Sequence, residues 1–161
     1  MQKNTLVLHT EFGLVRCAHQ SDATRIVQMV EKLAAHHGDT PTLTADDLIR
    51  DISGENPWLH ILVAEAEGEL VGYAALCRLA RLQFGLRGID MHHLFAEAAF
   101  RGRGVGHSLV EASKIKANAL SCSYMTVSTH PDNYKAQAFY QALGFERKDA
   151  HSLRFSIQLE A

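Results

Sequence analysis

The sequence predicts one α/β (α+β) domain in which a mixed, mostly antiparallel twisted sheet is flanked by about four helices. Three observations carry this prediction. Segments with the two-residue period of strands alternate with segments of helical period, and glycines stand at most of the junctions. No repeat, low-complexity tract or linker interrupts this order. With 161 residues, 47% of them hydrophobic, the chain can bury one core without disulfides or a metal.

The elements of the first half follow from apolar spacing and from the residues that bound each segment. Ser21 can cap the first helix, and Thr44 with Asp47 forms a capping-box pattern for the second. Glu67-Gly68 separates two apolar segments as a hairpin turn does. In chain order the predicted segments are a strand over 14–18, a helix over 21–38, a short helix over 44–53, two hairpin strands over 61–65 and 70–77, and a basic connection over 78–87.

The second half begins around a cluster of glycines. A strand over 89–96 precedes a glycine turn over 101–106, and a helix follows the turn. This order, strand then glycine turn then helix, is typical of a phosphate-binding site. The side chains that we expect the helix to bury are Leu109, Val110, Ile115 and Ala119.

The chain ends with two further strands around one helix. A strand over 124–129 and a turn over 131–133 lead to a helix over 134–143, which Gly144 closes. The last strand has the most regular pattern, because apolar and polar residues alternate and predict one buried face and one wet face. Its apolar residues are Leu153, Phe155, Ile157 and Leu159, and the polar ones between them are Arg154, Ser156 and Gln158.

Charge and cysteine content exclude several classes of protein. The formal net charge is −2 and the basic residues are scattered, so we predict no nucleic-acid partner. Cys17, Cys77 and Cys122 lack metal-type spacing and lie in apolar runs, which favours buried thiols in a reducing compartment. No segment has the pattern of a membrane span or signal peptide, so we expect a cytoplasmic protein without a membrane partner. We divide the chain into an N-terminal extension over 1–13, whose role is open, and one domain over 14–161.

The glycine turn, Arg101-Gly102-Arg103-Gly104-Val105-Gly106, has the composition of a phosphate-binding loop. The first amides of a helix are unpaired and carry partial positive charge, and glycines let a phosphate approach them closely. Arg101 and Arg103 could add charge-assisted contacts to the same diphosphate. His107 stands where the dinucleotide-binding pattern needs glycine and where the P-loop needs lysine, so neither motif is present. Glycines also serve plain tight turns, and on the turn alone this alternative stays open.

Two longer motifs occur in order in the second half. The first, Arg/Gln-x-x-Gly-x-Gly/Ala before a helix, is matched by Arg101, Gly104 and Gly106. The second, Asn-x-x-Ala-x-x-Phe/Leu-Tyr-x-x-x-Gly-Phe, is matched by Asn133, Ala136, Phe139, Tyr140, Gly144 and Phe145. With both motifs the sequence resembles the GNAT superfamily of N-acetyltransferases from about residue 14 to its end. Over residues 43–65 it has a weaker likeness to the spermidine/spermine (diamine) and thialysine N-acetyltransferases.

The resemblance implies an acyltransferase that uses acetyl-coenzyme A (acetyl-CoA) as cosubstrate. Since the histidines outside 92 and 93 lack metal-type spacing, we expect no metal. The acetyl group would pass directly, in a ternary complex, to the primary amine of a small molecule such as a polyamine, an amino acid or a related amine. A homodimer through sheet edges or the last strand is also implied. Two alternatives stay open: acetylation of a protein lysine or N-terminus, and a non-catalytic coenzyme A-binding sensor module.

The same resemblance assigns roles to individual residues. The N–H of Phe95 is the candidate donor to the developing oxyanion, and Tyr140 occupies the position of the general acid. Tyr140 also suits an aromatic core, and Asn133 also suits a helix N-cap. The residues implied to bind acetyl-CoA are Leu94, Phe95, Ala96, Arg101, Gly102, Arg103, Gly104, Val105, Gly106, His107, Asn133 and Ala136.

The catalytic base is expected at His92, because the polyamine enzymes carry acidic residues where this chain has His92 and His93. A histidine, with an ordinary pKa of about 6.5, can take a proton from an ammonium group at neutral pH, directly or through a water. It cannot anchor a polycation as a carboxylate does. Successive strand residues point to opposite faces, so we expect only one of the two rings in the acceptor site. A histidine that is merely hydrogen-bonded in the sheet stays an alternative for either.

Overall fold

The computed structural model describes residues 5–160, which contain one six-stranded sheet with its strands in chain order. Neighbouring strands are antiparallel except for the last pair, which is parallel. The predicted mixed, mostly antiparallel sheet with four helices is confirmed. The strands are β1 (Val7–His9), β2 (Leu14–Cys17), β3 (Leu59–Ala66), β4 (Glu69–Arg81), β5 (Leu86–Ala96) and β6 (Tyr124–Val127). The helices are α1 (Ala23–His36), α2 (Ala45–Ile52), α3 (Val105–Ala119) and α4 (Tyr134–Ala142).

The chain divides into two compact units. Residues 1–128 contain the sheet with α1, α2 and α3, and residues 129–161 contain α4. Strand β1 lies within the segment that we predicted as an N-terminal extension and pairs with β2. The first four residues of that extension lie outside the described residues. Among residues 5–160, the helices are too short or too polar to cross a membrane.

The sheet is covered on both faces by helices of the first unit. On one face Ile26 and Met29 of α1 and Leu48 of α2 join Tyr73 and Phe95 in a buried cluster. Gly72, the neighbour of Tyr73 along β4, faces the other way. A Cβ atom at Gly72 would lie 3.0 Å from Val105 Cγ1 of α3 and 2.6 Å from the carbonyl oxygen of Phe95. Helix α3 therefore packs directly on the glycine side of the sheet.

Local turn and capping signals were good predictors. Thr44 Oγ1 accepts from the N–H of Asp47 at 3.1 Å, and the carboxylate of Asp47 accepts from the N–H of Thr44 at 3.0 Å, so the predicted capping box is present. Glu67 and Gly68 both have positive φ, 54° and 79°, as a two-residue hairpin turn requires. The Ser21 cap is wrong, because α1 has Asp22 as its N-cap and Ser21 lies in a preceding 3₁₀ turn.

The predicted inward face of α3 is partly wrong. Leu109 and Val110 are buried, but Ile115 is 47% exposed and Ala119 is exposed too. The stripe that meets the sheet consists instead of Val105, Leu109, Val110, Ala112, Ser113 and Ala117. This stripe keeps helical spacing, and Ile115 is rotated away from it.

The basic connection predicted over 78–87 is also wrong. β4 and β5 continue through it as a long hairpin that stays paired up to Arg81 and Leu86. Gly85, with φ 63°, closes the short turn between them. Arginines in an exposed two-stranded arm can keep their charges in water, so their presence does not interrupt the ladder.

The last predicted strand does not form within the part of the chain that the structure describes. Leu153, Phe155, Ile157 and Leu159 lie in a segment without regular secondary structure, and their exposed fractions are 86%, 88%, 85% and 79%. The alternating pattern is a local property, whereas a strand exists only when a second strand pairs with it. The apolar alternation is therefore present in the sequence, but the side chains that were expected to be buried are exposed in this structure.

Candidate active site

The outer edge of β5 is free of strand pairing at its C-terminal end. β6 pairs with β5 only from Gly88 to Met91. On that side no strand among residues 5–160 pairs with His92 to Ala96, although their other edge pairs with β4. The predicted acetyl-CoA contacts Leu94, Phe95 and Ala96 lie on this open stretch. The two strands thus separate beside these three residues, which leaves the backbone groups on this edge without a strand partner among residues 5–160.

A β-bulge lies at His92. Met91 is opposite Leu76 and His93 is opposite Ala75, so His92 is the extra residue on β5. The rings of His92 and His93 stack with centroids 4.5 Å apart and an interplanar angle of 14°. The expectation that the two rings point to opposite faces is therefore wrong, because the bulge breaks the strict alternation of a strand.

His93 is held by a buried tyrosine that the sequence did not mark. Its Nδ1 lies 2.9 Å from the Oη of Tyr73, a residue with no exposed surface. Burial, with help from the nearby charges of His92 and His37, lowers the pKa of His93 to about 4. Burial also raises the pKa of the Tyr73 phenol above its ordinary value. Both groups are thus neutral near pH 7, and His92 is the exposed member of the pair.

The glycine turn presents an open helix N-terminus. Gly102 and Gly104 have φ values of 74° and 85°, and no atom lies within 4 Å of a Cβ built at either position. Gly104 is the N-cap of α3, and within the described chain no side chain caps this helix and no acidic residue lies in its first turn. The amides of Val105, Gly106 and His107 therefore have no partner within the helix. Thr44 caps α2 and Asn133 caps α4, whereas α1, like α3, has no side-chain cap.

Two arginines flank this turn. Arg101 donates from Nε to the carbonyl oxygen of Ala96 at 3.3 Å, which ties the turn to the end of β5. The guanidinium of Arg103 lies over the ring of Phe100, 4.6 Å from its centroid. Both side chains are exposed, so their charges remain available to an anion near the start of α3.

A cleft lies between the end of α1 and the end of β5. Its lining residues are Lys32, Leu33, His36, Phe95, Glu97, Ala98 and Arg101. Glu97 is 2.8 Å from Arg25 and 2.7 Å from Lys32, and both are residues of α1. Burial opposes the charge of Glu97, but hydrogen bonds from Lys32 and Arg25 prevail and lower its pKa below the ordinary value. This carboxylate is therefore ionised and already neutralised by two cations.

The second unit carries the other predicted site residues. Asn133 Oδ1 accepts from the N–H of Ala136 at 3.1 Å, so the N-cap role that we kept open for Asn133 is confirmed. Tyr140 packs edge to face with Phe139 and Phe145, with ring centroids 5.2 Å and 5.6 Å away. Burial raises the pKa of Tyr140 to about 12. The phenol therefore keeps its proton throughout the neutral range.

Comparison with known proteins identifies the family to which this chain belongs. The sequence model of the acetyltransferase (GNAT) family matches residues 26–145, which include β5, the glycine turn and Tyr140. The chain belongs to the GNAT family of acetyltransferases. The predicted family and enzyme class are confirmed, and this GNAT protein is an acyltransferase of the N-acetyltransferase type.

Several characterised proteins are similar to this GNAT acetyltransferase. Thialysine N-epsilon-acetyltransferase of Sus scrofa is 30% identical over 156 residues, which cover 88% of this chain and 91% of that protein. N-alpha-acetyltransferase RimI of Mycobacterium tuberculosis is 31% identical over 139 residues, covering 86% and 81%. The structure of an aminoglycoside acetyltransferase from an uncultured soil metagenomic sample matches with a TM-score of 0.74 at 14% identity, covering 91% and 95%. At that identity the last match shows the shared fold.

The hydrogen bond between Tyr73 and His93 is the feature that sequence reasoning missed in this GNAT protein. One signal for Tyr73 was available, because Gly72-Tyr73 lies in the hairpin strand that precedes the histidine-bearing strand. Its pairing with His93 depends on the register of β4 against β5 and on the bulge. Both are set by contacts between segments about twenty residues apart, which local patterns do not specify.

Proposed function

We propose that this protein transfers the acetyl group of acetyl-CoA to the primary amine of a small molecule, directly and within a ternary complex. The observation that carries the proposal is the open, uncapped N-terminus of α3, which follows two left-handed glycines at the end of an unpaired strand edge. The family match supports the reaction class, and the geometry of the first unit supports the cosubstrate.

The diphosphate of acetyl-CoA fits this turn. Gly102 and Gly104 have no side chain, so phosphate oxygens can approach the backbone closely. The first three amides of α3 have no acceptor within the helix and carry a partial positive charge. In this proposal Arg101, Arg103 and His107 border the diphosphate, and the edge of Leu94 to Ala96 pairs with the pantetheine arm. Asn133 retains its side-chain amide for the same arm, because only its Oδ1 serves the helix cap.

Acetyl-CoA supplies an activated thioester, and the residues of the chain supply donors and an acceptor of protons. The N–H of Phe95 stabilises negative charge on the carbonyl oxygen. Tyr140 delivers its proton to the departing sulfur, and its pKa of about 12 keeps it protonated until then. His92 receives the proton of the incoming ammonium, while neutral His93, held by Tyr73, supports its ring by stacking.

The charges around the cleft favour an amine that carries its own carboxylate. Lys32 and Arg101 line the cleft, and Glu97 is already paired with two cations. On α2, Asp47 accepts from Thr44 and Asp51 is paired with Arg50, so these carboxylates are engaged as well. A polyamine would meet few free carboxylates here. An amino acid with a reactive side-chain amine suits this balance better, and the thialysine N-epsilon-acetyltransferase relative supports the same class.

A protein N-terminus is the second candidate acceptor. The observation that favours it is the 31% identity to an N-alpha-acetyltransferase over most of the chain. It would require an acceptor surface open enough for a peptide. A panel of acceptors distinguishes the two classes directly.

The first experiment measures binding and turnover separately. Calorimetry on folded protein should detect heat with both coenzyme A and acetyl-CoA, and thiol release should follow when lysine or a thialysine-type amine is added. Spermidine, an aminoglycoside and a short peptide with a free N-terminus complete the panel. Absence of heat with either coenzyme would contradict the whole proposal. Thermal stabilisation by the coenzyme without thiol release from any amine would indicate a sensor module instead.

The base is tested by a pH profile. We expect kcat/KM to rise with pH across the neutral range as the base loses its proton, and His92→Gln to remove this rise and lower the rate about tenfold or more. His93→Gln is the matched control, because a group with a pKa of about 4 is deprotonated throughout that range and cannot produce the rise. If His92→Gln keeps both the ascending limb and the rate, His92 is not the base.

A further inference from the structure

We propose that Asp90 binds the ammonium form of the acceptor beside His92 and holds it there until its proton passes to that histidine. This inference rests on the reaction proposed above and names the residue that gives the site its affinity for a cationic amine. A histidine can take a proton, but it cannot attract a cation as a carboxylate does. The chain has histidines at 92 and 93 and a carboxylate two positions before them. Asp90 itself takes no proton.

The pairing of β4 with β5 places Asp90 on the same face of the sheet as His93. Asp90 is opposite Cys77, and His93 is opposite Ala75. Cys77 and Ala75 are two residues apart on β4, so their side chains and those of the residues opposite them point to one side. Ala75 belongs to the buried cluster that α1 and α2 form with the sheet, which identifies that side. The ring of His92 lies there too, because it stacks on His93.

The spacing along β4 sets the distance between Asp90 and the two histidines. Two residues of a strand span about 6.6 Å, so the Cα atoms of Asp90 and His93 are separated by about this length. An ammonium group that lies between two side chains makes contacts of about 3 Å to each. The carboxylate of Asp90 and the imidazole of His92 can therefore contact the same nitrogen.

The carboxylate of Asp90 is held in place by the neighbouring strand. Oγ1 of Thr126 donates to Oδ1 of Asp90 at 2.6 Å, and the two residues are opposite each other in the register of β5 with β6. Among residues 5–128, no Lys or Arg side chain forms an ion pair with Asp90, so its Oδ2 is not engaged by a cation of this unit. Burial and, second, the negative charge of Asp90 raise the pKa of the Cys77 thiol, in keeping with a carboxylate on this face.

Asp90 also lies where the two strands begin to separate. β6 pairs with β5 up to Met91, and the open edge begins at His92. The thioester is proposed to lie along that edge, with its carbonyl oxygen at the N–H of Phe95. β5 has no other acidic residue, and Glu97, just beyond its end, is already neutralised by two cations of α1. Asp90 is therefore the carboxylate of this strand that can hold an ammonium group for the reaction.

The test measures the binding of amines without acetyl transfer. Lysine and spermidine are titrated into the complex with coenzyme A, and norleucine, which lacks the side-chain amine of lysine, is the control ligand. Asp90→Asn removes the charge but keeps an oxygen that can accept from Thr126. We expect this variant to weaken the binding of whichever amine binds the wild type more tightly by about tenfold, while norleucine and coenzyme A bind as before.

Glu111→Gln is the matched control variant. It removes the same charge from α3, which packs on the opposite face of the sheet, and should bind both amines like the wild type. In turnover, Asp90→Asn should raise the KM of the acceptor about tenfold with little change in kcat, whereas His92→Gln lowers kcat.

The outcomes separate the role of Asp90 from the reaction itself. Loss of amine affinity in Asp90→Asn without turnover by the wild type would contradict the reaction and support the binding role. Turnover with an unchanged acceptor affinity and KM in Asp90→Asn would overturn the binding role and leave the reaction in place. An equal loss of affinity in Glu111→Gln, or a wild type that binds neither lysine nor spermidine, would also overturn the proposal.

Discussion

Tyr140→Phe is expected to lower kcat about tenfold or more while leaving the affinity for acetyl-CoA nearly unchanged. The substitution removes one hydroxyl and keeps the ring that packs against Phe139 and Phe145. A general acid acts only as the sulfur departs, so its loss affects the transition state more than binding. Single-turnover rates together with calorimetric affinity measure the two effects separately.

Tyr134→Phe provides the matched control for this prediction. Tyr134 begins the same helix but is 72% exposed, so removal of its hydroxyl should leave turnover and stability as they are. Equal loss of rate in both variants would point to a general disturbance of α4. Full turnover by Tyr140→Phe would remove Tyr140 from the reaction and leave it as an aromatic packing residue.

Gly104→Ala is expected to weaken acetyl-CoA binding about a hundredfold, the equivalent of losing one or two hydrogen bonds to a charged group. The residue has φ 85° at the N-cap of α3, a conformation that an L side chain rarely adopts. The added methyl group would also stand where the diphosphate has to approach the amides. Calorimetric titration with acetyl-CoA measures the loss.

Gly38→Ala separates binding from backbone strain. Gly38 has a similar φ of 77° and similarly open surroundings, but it lies beyond the end of α1. We expect both alanine variants to lower the melting temperature by comparable amounts and only Gly104→Ala to lose affinity. If Gly104→Ala binds acetyl-CoA like the wild type, the turn is not the diphosphate site.

Features that depend on neighbouring residues were predictable from the sequence. The capping box of Thr44 and the turn at Glu67-Gly68 each need only a few consecutive residues. The glycine turn is of the same kind, because Gly104 both permits the conformation and exposes the following amides. The order of strand, turn and helix could therefore be read before the structure was known.

Features that depend on pairing between distant segments were not predictable. The stacked arrangement of His92 and His93 results from one extra residue on β5, and this is visible only once β4 is aligned with it. The hydrogen bond to Tyr73 has the same origin. The strand predicted over 153–159 was wrong for the opposite reason. The local alternation is present, but it does not supply the second strand with which this segment would have to pair.

Gly72 has a further consequence for the reaction. Its missing side chain lets α3 and the carbonyl of Phe95 approach the same point of β4 from two directions. Any larger residue would have to displace either the helix that begins at the glycine turn or the backbone of Phe95. In the proposed complex the start of α3 binds the diphosphate and the N–H of Phe95 meets the thioester carbonyl, and the bare backbone of Gly72 allows both to keep their present spacing. In a mutational scan scored for turnover, substitutions of Gly72 should therefore lower the rate as much as substitutions of the proposed catalytic residues.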